Sequence, residues 1–232
     1  MSSVFTQPML RATKEALTRV GALMSRPALV QVQAAANYMQ IGRWMREHGY
    51  SVTHRVPTRQ DVWAAVAARV RHRHVLYLEF GVASGRSIRF WSEELKNDAS
   101  SLHGFDSFEG LPESGGPWEK GQFDAQGQVP AIADPRVKFF KGWFQDVLPG
   151  YALPRHDVLV VNLDADLYSS TAFVLRFLQD HIVPGTYLYF DELNHIEHEP
   201  QAFAEFVKNT GRELRIVTAD RTLAHVCFEC IR

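Results

Sequence analysis

The spacing of apolar residues changes near residue 75. Before it, Leu29, Val32, Ala36, Met39 and Met45 recur at helical intervals, with Tyr38, Ile41 and Trp44 widening the stripe. A second helical pattern, Val62, Val66 and Val70, follows Pro57. Thr58 and Asp61 stand there as an N-terminal capping pair, although a capping box prefers Glu or Gln at that third place. From residue 75 onward, short apolar runs alternate with amphipathic segments. Residues 75–80, 102–106, 137–141, 157–163 and 186–190 read as strands, and about 87–96, 170–180 and 200–209 as helices. The runs 214–218 and 225–231 lie close enough to pair as a hairpin. Strands alternating with helices predict an α/β chain with a doubly wound, mostly parallel sheet. Residues 1–56 then form an N-terminal helical cap and residues 57–232 the sheet domain, in one compact unit. Residues 107–134 are polar and rich in Gly and Pro, a length of loop that often serves as a lid.

Such sheets bind ligands beyond the carboxyl ends of their strands. Gly81, Asp106, Gly142, Asp164 and Asp191 all fall at those ends. The stretch Val75-Leu-Tyr-Leu-Glu-Phe-Gly-Val-Ala-Ser-Gly-Arg-Ser87 is a buried strand delivered through a glycine turn into a helix. Asp106, ending the next strand, is placed to accept hydrogen bonds from ribose hydroxyls. Glu79 lies inside an apolar strand, where a carboxylate is costly unless bonded or paired; a solvated edge position is the plainer alternative. Asp164, Asp166, Asp191 and Glu192 form a second group, with Asn194 a neutral oxygen beside them. Carboxylates brought together in one cleft repel, and a hard divalent cation relieves that repulsion. Solvated loop acids are the other reading.

Composition narrows the classes. With 46% apolar and 22% charged residues and a formal net charge of −1, the chain reads as an ordinary globular protein. Nothing in it calls for a nucleic-acid or anionic-membrane partner. No apolar run approaches a membrane span, and residues 1–11 lack a basic segment followed by an apolar one, so no secretory leader is expected. The two cysteines, Cys227 and Cys230, make no disulfide framework and fit a reducing, cytoplasmic setting. Their C-x-x-C spacing lies in a strand, whose alternation sends them to opposite faces; both read as structural.

Leu78-Glu-Phe-Gly-Val-Ala-Ser-Gly85 resembles motif I of class I S-adenosylmethionine-dependent methyltransferases. Gly104-Phe-Asp-Ser-Phe-Glu-Gly-Leu-Pro-Glu113, Lys141-Gly-Trp-Phe144 and Asp164-Ala-Asp-Leu-Tyr-Ser-Ser-Thr171 are similar to the macrocin (TylF-like) O-methyltransferase family. That resemblance implies a Rossmann-like seven-stranded sheet whose last strand is antiparallel. It implies an O-methyltransferase acting on a hydroxyl of a small molecule such as a natural-product sugar. Glu79, Gly81, Ser84, Gly85 and Ser87 would then hold the methionine part of S-adenosylmethionine, and Asp106 its ribose. Ser107 and Phe108 would lie beside the adenine, with Gly142, Trp143, Phe144 and Gln145 forming its opposite wall. Asp164 would also face the cofactor, and Asp164, Asp191 and Glu192 would ligate Mg²⁺. The chain departs from these relatives in two places. Leu167 stands where catechol-type enzymes carry Lys, and residues 107–140 contain no His. Asp164, Asp166 and His195 are the catalytic candidates, with His198 beside them. Trp118 and Phe123 in the long loop are candidate acceptor contacts. A non-catalytic nucleoside-binding module is one alternative. A nicotinamide-dependent oxidoreductase is another, although Gly81-Val82-Ala83 breaks its glycine fingerprint. The apolar N-terminal stripe also offers a surface to a second copy.

Overall fold

A computed structural model describes residues 7–232. Helices α1 (Gln7–Leu23) and α2 (Arg26–Glu47) lead to a short strand β1 (Arg55–Val56) and helix α3 (Arg59–Val70). Then come β2 (Val75–Phe80), α4 (Arg86–Glu94), β3 (Ser101–Asp106), β4 (Val137–Lys141) and α5 (Phe144–Val147). The chain continues through β5 (Val158–Leu163), α6 (Tyr168–Leu178), β6 (Tyr187–Phe190) and α7 (Glu199–Thr210) into the hairpin of β7 (Leu214–Asp220) and β8 (Val226–Cys230).

The strands form one sheet in the order β1-β7-β8-β6-β5-β2-β3-β4. All neighbours are parallel except β8, which runs antiparallel to both β6 and β7. The sheet has eight strands where seven were expected; the extra one, β1, joins the edge by pairing Arg55 with Ala219. Two residues carry no readable alternation, and β1 makes the end of the supposed cap part of the sheet. Helix α5 is likewise too short for a periodic signal.

Every residue of β2 and β5 is buried, as parallel strands covered on both faces must be. On one face Leu78, Phe80, Val161 and Leu163 pack against α6 and α7. On the other, Tyr77 and Val160 pack against Val66 of α3 and Trp91 of α4. Helix α2 joins the first core through Ile41, Trp44 and Met45. Helix α1 buries no residue. Cys227 and Cys230 lie in opposite cores, both as free thiols.

Two local choices position the site. Thr58 caps α3 in a reciprocal box with Asp61, so Asp fills the place that Glu or Gln usually takes, and Arg59 becomes the first helical residue. Gly81 has φ of +92°, and a Cβ there would come 1.8 Å from the carbonyl oxygen of Asp164. Only glycine lets the ends of β2 and β5 approach so closely. These two strands flank the point where the chain reverses its order across the sheet, and the crevice opens there.

Candidate active site

A cavity of about 290 Å³ lies over the carboxyl ends of the strands. One half is built by the glycine turn and β3. Asp106 accepts hydrogen bonds from Val82 N and Ala83 N on Oδ2, both 2.8 Å, and from Phe108 N on Oδ1, 2.7 Å. Ala83 and Phe108 pay for this with left-handed backbones, φ 46° and 58°, a strain that persists where surrounding structure holds it. Asp106 lines the cavity and keeps lone pairs for further donors. Gly81 and Ser107 line it beside Asp106, while Gly142, Trp143, Phe144 and Gln145 also form its wall.

Several sequence candidates stand elsewhere. Phe108 is 1% exposed, its ring packed toward Phe139, so only its backbone serves the turn. Ser84 is exposed and off the wall, and Gly85 packs beneath Pro130 of the long loop. Glu79 and Ser87 lie a layer below the floor. Glu79 is fully buried and accepts from Tyr77 Oη at 2.6 Å and from Ser87 Oγ at 2.7 Å. Burial pushes its carboxyl up to about 7. The side chains of Glu79 and Ser87 bond each other and Tyr77, supporting the turn from beneath rather than lining the cavity where the methionine part was expected.

The other half is acidic. Asp164, Asp166, Asp191 and Glu192 all line it, drawn from the ends of β5 and β6. Burial, then the neighbouring carboxylates Asp191 and Asp166, hold Asp164 well above the usual carboxylate range. Burial and Asp191 likewise lift Asp166 and Glu192 to about 7 each. Asp166 has φ 58°, a third strained residue at the cavity. Asp191 goes the other way. Burial would raise it, but His225, Tyr189 and Arg59 outweigh that and hold it low. Tyr189 Oη donates to Oδ1, His225 Nδ1 lies 3.3 Å from the same oxygen, and Arg59 Nη1 donates to Oδ2 at 3.1 Å.

Arg59, Tyr189, His225 and Glu199 were missed from sequence. Glu199 is fully buried and accepts from Glu192 N at 2.9 Å, fixing the segment after β6. None of the four carries a local pattern; only the fold brings them to the acids. His195 is off the cavity wall. It lies between Asn37 and Glu192, 3.3 and 3.5 Å from its two ring nitrogens, against the Trp118 ring. His198 accepts from Tyr168 N at 3.2 Å, and its ring sits against Gly116 of the long loop. Both rings, with Trp118, fasten that loop, while Phe123 reaches the cavity.

The donor set of the acidic half is all oxygen, which suits a hard divalent cation; Asn194, whose buried Oδ1 has no partner among the described residues, is off the cavity wall. Among the described residues, no three His, Cys, Asp or Glu side chains already converge as a metal cage. The set matches such an ion in donor type, while Asp191 is engaged by Arg59, Tyr189 and His225.

The chain matches the family described as Macrocin-O-methyltransferase (TylF) over residues 58–226. It is similar to the 8-demethyl-8-(2,3-dimethoxy-alpha-L-rhamnosyl)-tetracenomycin-C 4'-O-methyltransferase of Streptomyces olivaceus, 32% identical over 138 residues, covering 50% of this chain and 51% of that one. It is also similar to the demethyldecarbamoylnovobiocin O-methyltransferase of Streptomyces niveus, 36% identical over 61 residues, 26% of this chain and 22% of the relative. The chain thus spans about half the length of the first curated relative and less of the second. Among solved structures, the O-methyltransferase NovP shares the fold with a TM-score of 0.54 at 21% identity, over 75% of this chain and 78% of that one. The family match starts at Thr58, the cap of α3, and runs into β8, enclosing both halves of the cavity. By that match the chain belongs to the macrocin O-methyltransferase (TylF) family.

Proposed function

We propose that the protein transfers the methyl group of S-adenosylmethionine to a hydroxyl oxygen of a natural-product small molecule, with a glycoside sugar as the acceptor class. The observation that carries the reading is a single cavity with Asp106 and the glycine turn at one end and four carboxylates at the other. Family membership and the sugar-bearing substrate named for the Streptomyces olivaceus relative support it. The donor supplies an electrophilic methyl on a sulfonium, so this chain mainly places the partners in line. Asp106 and the 81–85 turn hold the ribose, and Trp143 offers stacking area to the adenine. The carboxylates of the far end attract the sulfonium. Asp166, on the wall and lifted to about 7, takes the acceptor hydroxyl proton on a carboxylate oxygen. A base poised near the operating pH is the efficient choice. Asp164 and Glu192, joined by Asp191 once it releases Arg59, would hold a divalent ion. Such an ion supplies positive charge that lowers the pKa of an acceptor hydroxyl. The long loop, pinned by Trp118, closes the cavity from water.

Thermal-shift titration with S-adenosylhomocysteine, with and without Mg²⁺, tests donor and metal separately. Methyl transfer from labelled donor to a panel of glycosides tests the reaction. Stabilisation by the adenosyl ligand with Mg²⁺-dependent transfer supports the whole reading; transfer that survives EDTA removes the metal, and no response to any adenosyl ligand removes the reading itself.

A further inference from the structure

The cavity wall carries five carboxylates, Asp106, Asp164, Asp166, Asp191 and Glu192, and Arg59 is the sole Lys or Arg on it among the described residues. Resting on the reading of the cavity as a site for an adenosyl donor, we propose that Arg59 is the clamp for the donor's methionine carboxylate. The donor's amino-acid end bears an ammonium and a carboxylate. The ammonium and the sulfonium find partners throughout the acidic half. The carboxylate meets like charge at each of the five acids, and among the described side chains of the wall Arg59 is the one Lys or Arg that meets it. Two opposite charges this close are worth several times more in a partly buried cleft than in water.

Arg59 is equipped for the part. Its Nη1 donates to Asp191, and no other hydrogen bond from its side chain to a described residue is formed. Guanidinium carries five donors in a fork that matches a carboxylate with two parallel bonds. Its carbon lies 5.6 Å from the Trp63 ring centroid, a cation–π contact that steadies the head group on the cavity wall while about a third of the side chain stays exposed. Arg59 is also the first residue of α3, so the positive end of that helix adds to the same spot. The pairing with Asp191 keeps the guanidinium aimed into the cavity until the ligand arrives.

The test compares two probes by calorimetry on the full chain: S-adenosylhomocysteine and its decarboxylated analogue, which keeps the ammonium and lacks the carboxylate. In the wild-type protein the carboxylated probe binds more tightly. Arg59→Gln weakens it about tenfold or more, the loss of one charge-assisted pair, and leaves the decarboxylated probe within about twofold. Arg59→Lys, which keeps the charge but not the fork, falls between. If Arg59→Gln does not fold by circular dichroism, the Arg59→Lys comparison between the two probes carries the test. Equal losses for both probes, or no loss for either, overturn the clamp. Failure of the wild-type chain to bind either probe overturns the adenosyl reading as well.

Discussion

The two halves of the cavity use carboxylates in opposite ways. At the β3 end, Asp106 is surrounded by three backbone N–H groups, from Val82, Ala83 and Phe108. The protein supplies it with three donors, so it shapes the turn that it faces and still keeps lone pairs toward the cavity. At the β5 and β6 end, Asp164, Asp166 and Glu192 face one another with burial and mutual repulsion lifting all three. Among the described residues, only Asp191 there has hydrogen-bond donors of its own, from Tyr189 and Arg59. A carboxylate already supplied with donors is built to hold a shape. Carboxylates left short of them are built to receive something positive or to carry a proton.

The sharpest break of this contrast is Asp164→Ala. It should lower methyl transfer by about 10³-fold or more while S-adenosylhomocysteine binding stays within a few fold, a loss confined to the transition state. Binding isotherms and turnover on the same preparation check it, and equal loss of both would place Asp164 in donor binding instead. Asp106→Ala should show the reverse emphasis. Removing the acceptor of three backbone donors loosens the 81–85 turn and weakens donor binding by roughly 10- to 100-fold, read as a raised KM for the donor at fixed acceptor.

Glu79→Gln probes the layer beneath both halves. The Glu79 carboxyl is lifted from 4.5 to about 7, so the fold prefers it protonated. Its contribution is complete below pH 4.5, where the unfolded chain also holds the proton, and is lost as pH rises to about 7. Over that window the cost is on the order of 2–3 kcal/mol, or roughly 5 °C in Tm for a chain this size. Melting curves at pH 5 and pH 8 should show a smaller fall for Glu79→Gln than for wild type. A pH response unchanged by the substitution would mean that Glu79 titrates as an ordinary solvated acid. The smallest effect is expected from deleting residues 1–23. Helix α1 buries nothing, so Tm should move by less than about 2 °C; a large drop would show that α1 covers more than its own exposed face.

The framework was readable because its signals are local and repeated. Continuous apolar runs in 75–80 and 158–163 mark strands covered on both faces, and Pro57-Thr58 marks the start of α3. The acids at strand ends were readable for the same reason: a polar residue closing an apolar run stands out. Which way each acid turns was not readable. Glu79 and Asp106 both look like ligand groups in the sequence, yet Glu79 bonds to Tyr77 and Ser87 beneath the floor, and Asp106 faces the cavity. His195 stands close after β6, but α2 and the long loop occupy its surroundings through Asn37 and Trp118.

By itself, then, the order of residues determined the alternation of strands and helices, the glycine turn, and the acids at the ends of β3, β5 and β6, since each depends on neighbours a few positions away. Tertiary structure alone decided that Arg59 reaches Asp191, 132 residues further along the chain. It decided likewise that His225 and Tyr189 share that carboxylate, and that burial, then neighbouring carboxylates, raise the proton affinities of Asp164, Asp166 and Glu192. Charge interactions fall off with distance through space, not along the chain, so a partner supplied by a remote element leaves no trace in the local pattern that predicts the element itself.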